Sequence, residues 1–393
     1  STVYAQSTFI NGFTTALQNN MVGKIYIEKL YINNTQNHAL NISNPYLLEM
    51  KECTIENNKK SCVNLRFSLE FNNNTLQRKV LLEKNKFSKR ENSGISIFGE
   101  NMKSQSCDIN ILENTITNFE KDGIGLKNLN ISQIKIEKNQ ILNNSRNGIS
   151  IQNVFDLVTF QQVRLLQNKI AQSHLYGLII TDASCFSEKD QICQNGKAGV
   201  LLKGSMKPLT RDEISFAKKC PLRSIFSLAN IYYNKESGIT IFGYLKGPVI
   251  LNSCGIHENS NGIYIKQEGF ESRETLAVSP NASQSTMNNL DKSSVKDVLS
   301  DLVMDKCAIF QNELSGIHIK GISMKAYLKD TLIYENRNYA IFIQNESEKD
   351  RVVFRDEDKC KIKQNISGYV GGSWGVLFEQ NYSVCKRAHC NIF

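Results

Sequence analysis

One short pattern recurs along this chain about a dozen times: an Ile, an Asn three residues later, and Gly-Ile-x-Ile opening seven residues later. It reads Ile141, Asn144, Gly148-Ile149-Ser150-Ile151; then Ile231, Asn234, Gly238-Ile239-Thr240-Ile241; then Ile309, Asn312, Gly316-Ile317-His318-Ile319. A unit this regular stacks on its own copies, so the repeat fixes the architecture before any single residue is weighed. The apolar anchor seven residues before the Gly position falls at Ile32, Ile55, Phe87, Ile116, Ile141, Ile170, Ile192, Ile231, Ile256, Ile309, Ile333 and Ile362. The shortest anchor-to-anchor steps are 22 to 25 residues. Within one step the apolar residues alternate with polar ones in three short runs, as in Gly123-Ile-Gly-Leu126, Ile134-Lys-Ile136 and Ile141-Leu142. Period two means strands, and three strands per coil predict a parallel β-helix.

The expected fold is therefore all-β: a single-stranded right-handed parallel β-helix, a solenoid of about 12 coils, with two helical or loop insertions and end caps. Each Ile of Gly-Ile-x-Ile points into the cylinder, the Gly permits a tight turn, and the Asn occupies a corner, where its amide can bond backbone and it tolerates left-handed angles. Ala39, Cys62 and Ala340 replace the Gly with small residues. The cylinder is expected over 26–379, residues 1–25 as an N-terminal cap and 380–393 as a C-terminal cap or tail. Insertions are expected at about 204–228 and 268–305. The first contains Thr210 and Glu213, a capping-box pair opening a short helix through about Lys219. The second ends in an amphipathic stretch, Val295–Met304, read as helical.

Composition narrows the function classes. The net charge is +9, from 47 Lys+Arg against 38 Asp+Glu, so acidic partners are favoured over basic ones. The cations are scattered, without an aromatic stacking ladder, which argues against nucleic acid. No apolar run is long enough to span a membrane as a helix. The N-terminus lacks an initiator Met and a signal-peptide layout, which suits a processed form or a piece of a longer chain. Eleven cysteines leave at least one unpaired. Five precede an Ile by two residues, at Cys53, Cys107, Cys254, Cys307 and Cys360, which predicts inward-facing reduced thiols packed as small apolar residues. That favours the cytoplasm, with a secreted protein as the alternative, towards which nine Asn-x-Ser/Thr sequons point.

The Asn-x-x-x-Gly-Ile-x-Ile units resemble the right-handed parallel β-helix repeat superfamily, of pectin-lyase-like fold, over residues 26–378. In style they are most similar to the non-enzymatic β-helix modules of F-box-type proteins. The superfamily also contains pectin-degrading enzymes and alginate epimerases. The resemblance to polygalacturonase-like members implies Asn-Thr-Asp, Asp-Asp, Gly-His-Gly and Arg-Ile-Lys motifs, and the epimerases an Asp-Pro-His-Glu motif; none occurs as a catalytic set here.

The outward x positions run Asn41, Asn64, Ser96, Gly125, Ser150, Ile179, Leu201, Thr240, Tyr264, His318 and Phe342, without a carboxylate for glycosidic acid/base work. The next outward row holds Phe98, Lys127, Lys203, Phe242, Lys266 and Lys320, a candidate docking stripe for an acidic protein surface or a polyanion. His257 and His318 lie on outward positions with no acidic neighbour in register. Cys385, His389 and Cys390 are too few for a zinc site, and Cys185 and Cys193 could pair only under oxidising conditions. Neither a catalytic residue, a cofactor site nor a metal site is assigned. The leading expectation is a non-catalytic scaffold docking laterally in a larger multi-protein assembly, with a cytoskeletal, ciliary or axonemal setting and tubulin as one acidic partner. The alternatives are a carbohydrate-active β-helix enzyme or sugar-binding protein, and the substrate-recognition module of an F-box-type protein.

Overall fold

A computed structural model describes residues 2–19, 23–68, 78–100, 105–129, 131–154, 163–205, 222–266, 302–321, 324–344, 352–356, 360–373 and 376–379. The chain winds as a right-handed parallel β-helix. Every coil contributes one strand to each of three parallel sheets, A, B and C, with 14, 13 and 13 strands among the described residues. The register joins repeat position to repeat position. Ile141 pairs Ile116 and Ile170 in sheet B, and Ile149 pairs Ile124 and Leu178 in sheet C. Residues 2–19, expected as a cap, themselves form a coil: Thr2–Gln6, Phe9–Asn11 and Leu17–Asn19 pair with the coil that follows.

Period-two alternation is why these segments are strands. In Ile149–Val154 the burial alternates, Ile149 and Ile151 being buried while Ser150 and Gln152 are partly exposed. The inward side chains of all three sheets merge into one continuous core from Ile25 to Cys360. Volumes compensate locally: Phe226 is fully buried beside the small Ser187, its register partner on the preceding coil.

The repeat glycine has a different task from the expected turn. At Gly238 the φ angle is not positive; instead, a Cβ there would lie 2.5 Å from the Ile256 Cγ2 and 2.7 Å from the Gly262 carbonyl oxygen. Close approach of the next coil, and not a turn, requires the missing side chain. The corners turn on other residues. Between sheets A and B, Lys29, Glu52, Lys84, Glu113, Lys138, Gln167 and Lys189 all have φ of 53–56°. Between sheets B and C the left-handed residue is Asn143, Gln194, Tyr233 or Glu258, one position before the repeat Asn.

The repeat Asn is then free to stack. Asn195, Asn234, Asn259, Asn312, Asn336 and Asn365 form a ladder in which each backbone N–H and Nδ2 donates to the next Oδ1, at 2.8–3.3 Å.

Length differences between coils collect at the third corner, from sheet C to sheet A. Ser43 is followed by sheet A at Leu47, whereas Lys266 is followed by it only at Leu302. Both expected insertions leave here, but both are shorter than expected. Ser224–Ser227 and Leu302–Asp305 are sheet A strands, so the helix expected through Met304 gives way to a strand at Leu302. Leu302 and Met304 alternate inward there to fill the core, and that period-two burial overrides the helical spacing. Thr210–Lys219 and 268–301 lie outside the described residues, as does the tail 380–393.

Candidate functional site

Sheet C presents the outward rows read from the repeat, and its register joins them residue by residue. The x row runs in order from Asn41 to Phe342 through nine intervening coils. Two positions further along each strand, Phe98, Lys127, Gln152, Thr181, Lys203, Phe242, Lys266, Lys320 and Gln344 form a second column on the same face. All six stripe residues therefore share one line along the cylinder.

The two columns meet in a compact patch at the C-terminal end. Tyr264 pairs with His318, and Lys266 pairs with Lys320, on adjacent strands of the sheet. Two side chains of a strand two residues apart face the same side, so the phenol, the imidazole and two ammonium groups share one surface. Phe342 closes the patch, its ring centroid 5.0 Å from that of His318, with Tyr339 stacked on Phe342 at 5.6 Å. Tyr264 lies 5.0 Å from His318 on the other side.

His318 is the titratable centre of this patch. Burial between the two rings lowers its pKa below 6.5, a hydrogen bond with the Gln344 side chain works against this, and Lys320 adds to the lowering. Its Nε2 is buried without a protein hydrogen-bond partner. A neutral imidazole flanked by two cations is suited to accept a proton from an anionic substrate once its ring turns the unpartnered nitrogen to the face.

The face changes character towards the N-terminus. Its floor becomes small and polar at Asn41, Asn64, Ser96, Gly125 and Ser150, with Asn64 Nδ2 donating to Asn41 Oδ1 at 2.8 Å. Arg66 lies 5.2 Å over the Phe98 ring. Lys60, Lys121 and Arg146 stand exposed on the opposite border. His38 sits among them, its pKa pushed down to about 4 by burial, then by Lys60 and Arg66. Glu91, Glu120 and Asp122 are carboxyls of the same border; burial raises the Asp122 pKa, and Asp122 accepts from Asn147 Nδ2 at 2.7 Å.

A second cluster lies on sheet B. His257 Nδ1 is 2.9 Å from Glu258 Oε2, its Nε2 is 3.0 Å from Asn230 Oδ1, and the Tyr233 hydroxyl donates to Glu258 Oε1 at 2.7 Å. His257 also stacks between Tyr232 and Phe310, at 5.3 and 4.6 Å. In register His257 has no acidic neighbour, its partners being Tyr232 and Phe310, but a carboxylate reaches it from Glu258. Glu258 follows it in sequence, and the left-handed corner there folds the carboxylate back onto the ring. Every polar group in this cluster is satisfied internally, as a structural network would be.

Among the described residues no group of three or more His, Cys, Asp or Glu could hold a metal ion. None of the eight described cysteines forms a disulfide, Cys185 and Cys193 included. Cys385, His389 and Cys390 lie outside the described residues.

The sequence model of the family described as "Right handed beta helix region" matches residues 76–214. No curated protein matches the chain. Among solved structures, the chain is similar to the A-module of the mannuronan C-5 epimerase AlgE4 of Azotobacter vinelandii, at 9% identity and a TM-score of 0.44, covering 98% of this chain and 90% of that one. It is also similar to the periplasmic alginate epimerase AlgG, at 12% identity and a TM-score of 0.38, covering 94% and 78%. A third is the pectate lyase Pel9A, at 10% identity and a TM-score of 0.33, covering 92% and 70%. These neighbours act on polysaccharides, and the expectation of a non-catalytic scaffold is corrected accordingly. That expectation leaned on an outward row without carboxylates and on the absence of the polygalacturonase-like and epimerase motifs. The likenesses are of coil layout alone, so the choice of site rests on side chains. The chain is a right-handed parallel β-helix.

Proposed function

We propose that this protein is a carbohydrate-active β-helix that acts on an anionic polysaccharide laid along sheet C. The observation that carries the reading is the patch in which Tyr264 and His318 share a face with Lys266 and Lys320. A uronate unit carries a carboxylate beside a carbon-bound hydrogen. The two ammonium groups would pair with that carboxylate and stabilise the extra negative charge that develops when the hydrogen leaves as a proton. His318, held neutral by burial, accepts the proton at a ring nitrogen, a step that requires the imidazole to turn Nε2 out of its buried position towards the face. The electron pair left on carbon has two outcomes. Reprotonation from the opposite side by solvent water, with the His318 imidazolium giving its proton back to the hydroxide so formed, inverts the centre. Expulsion of the neighbouring glycosidic oxygen, protonated by the Tyr264 hydroxyl, forms a carbon–carbon double bond and cuts the chain. The epimerases and the lyase among the structural neighbours are named for these two outcomes.

The test is incubation of the purified protein with alginate and with pectate. Unsaturated chain ends are followed by ultraviolet absorbance, and inversion by proton NMR. His318→Gln is expected to lose at least a hundredfold in kcat with an unchanged circular dichroism spectrum, since general-base catalysis contributes roughly 10²–10⁴-fold. The acid limb of kcat/KM is expected below pH 6.5, following the lowered His318 pKa. Folded wild-type protein that neither inverts nor cleaves either polymer would defeat the reading.

A further inference from the structure

We infer that the N-terminal part of the same face, centred on Arg66, Lys60 and His38, is a remote anchoring site that makes this protein selective for long anionic chains. The inference rests on the reading of sheet C as the substrate face, and it assigns residues far from the reactive patch. Arg66 and Lys320 belong to one register column, eight steps apart. At ~4.8 Å between neighbouring strands, the two lie about 38 Å apart along the cylinder. A short oligomer held at His318 cannot reach Arg66, whereas a polymer lying along the face passes over it.

Four observations make the region fit for a polyanion. The floor from Asn41 to Ser150 is built from small neutral residues, and Gly125 leaves it open: a Cβ there would meet nothing nearer than the Ile95 carbonyl oxygen at 3.9 Å. Cations border the floor on both sides, with Arg66 and Lys127 exposed along one edge and Lys60, Lys121 and Arg146 exposed along the other. Arg66 is oriented by its contact with the Phe98 ring, 5.2 Å away. A guanidinium set on an aromatic face keeps its N–H edge available for a carboxylate. His38 is half-buried between Lys60 and Arg66, and its Nδ1 is buried without a protein partner. Those two cations would otherwise only repel each other; an anion between them removes the repulsion.

The experiment compares Lys60→Glu/Arg66→Glu with the wild type and with a control of equal charge change, Lys84→Glu/Lys138→Glu. Both lysines are exposed at the corner between sheets A and B, where Glu52 and Glu113 occupy the same position on neighbouring coils. Binding is measured in the His318→Gln background, so that no turnover occurs, with a uronate tetramer and with alginate and pectate polymers of several dozen units. Lys60→Glu/Arg66→Glu is expected to weaken polymer binding at least tenfold, to leave the tetramer unchanged and to flatten the salt dependence of polymer binding; Lys84→Glu/Lys138→Glu is expected to change neither ligand. Polymer affinity that does not move, or tetramer and polymer affinities that fall together, would overturn the anchoring site. The proton-transfer reading is judged separately by product formation in the wild type, so the two fail independently.

Discussion

The corner between sheets A and B is built in two chemistries, one for each half of the cylinder. From Asn85 through Asn114, Asn139 and Asn168 to Asp190, each backbone N–H and Nδ2 donates to the side-chain oxygen of the next coil at 2.7–3.0 Å. From Ala229 onward the same positions hold Cys254 and Cys307, and at the N-terminal end Cys53. These thiols take over the amide's two tasks. The Leu30 N–H donates to Cys53 Sγ at 3.4 Å, and the Ala229 and Cys254 N–H groups donate to the sulfurs of Cys254 and Cys307. In turn, Cys254 Sγ donates to the Phe226 carbonyl and Cys307 Sγ to the Leu251 carbonyl, both at 3.3 Å. Either an amide or a thiol can thus supply an acceptor and a donor at this corner, although Leu30 and Ala229 occupy the same position with neither. Sulfur is the weaker donor and acceptor of the two, so the halves should differ in how much each member contributes.

The largest effect is expected in the amide half. Asn139 receives the Asn114 backbone N–H and Nδ2, and its own Nδ2 reaches the Ile111 carbonyl at 2.9 Å. Asn139→Ala leaves several of these groups buried without partners, at a cost of roughly 3–5 kcal/mol. Denaturant titration reads the loss, and the Asn114 amide should show the greatest rise in hydrogen exchange. A change below about 1 kcal/mol would mean the ladder is decoration on a core held by Ile alone.

The next effect comes where the amide half ends. Asp190 accepts from Asn168 at 2.7 and 2.9 Å and from the Ser187 hydroxyl at 2.5 Å. Burial pushes its pKa up from 3.8 to about 6, against the lowering by Ser187 and Asn168. A raised folded-state pKa gives stability that is complete below 3.8 and is lost as pH rises through about 6. The wild type should thus be less stable at pH 7 than this residue allows at pH 4, by on the order of 3 kcal/mol. Asp190→Asn should remove that dependence while keeping the acceptor for Asn168. Parallel stability curves for the two proteins between pH 4 and 7 would refute the assignment.

Thiols should matter less. Cys307→Ala removes one sulfur and its contacts to the Leu251 and Asp305 carbonyls, for an expected loss of about 1–2 kcal/mol. In the wild type the hydrogen bond with Cys254, then burial, raises the Cys307 pKa, so thiol reagents should modify it only on unfolding. Labelling of Cys307 at the rate of an exposed thiol would contradict this.

The difference between the halves also shows what a sequence of this kind discloses. The three-strand coil, its inward Ile and the two outward rows of sheet C follow from period-two alternation, and the register places those rows as read. The Cys-x-Ile contexts, in contrast, hide two environments. Cys53, Cys254, Cys307 and Cys360 precede the sheet B strand, whereas Cys107 lies inside the sheet A strand Gln105–Leu112 and pairs with Arg78. Alternation cannot separate a corner from a strand when both bury the side chain. Left-handed Lys29, Glu113 and Leu228 were equally illegible, because their backbone angles are imposed by stacked neighbours against local preference. The reactive patch was half visible. Tyr264 and His318 were read in one row and Lys266 and Lys320 in another, and only the register between rows reveals that they form one group.

The smallest effect offers the sharpest test of the two-chemistry corner. If Cys307 performs the work of an Asn, then Cys307→Asn should be accepted, since the two side chains are close in volume and the carbonyls of Leu251 and Asp305 are already positioned as acceptors. The new Oδ1 would receive the Cys254 N–H, and Nδ2 would donate to those two carbonyls, as Asn139 does to the carbonyls of Ile111 and Glu137. Replacing two weak sulfur bonds by two amide bonds should raise stability by about 0.5–1 kcal/mol. Because Cys254 and Thr331 flank the site, the new amide has no Asn on either side, and the cooperative gain of a full ladder is absent. Cys254→Asn/Cys307→Asn should therefore exceed twice the single gain, as two stacked amides bond each other. A double variant that is less stable than the wild type would show that the thiols were retained for packing and that the corner tolerates, but does not require, their hydrogen bonds.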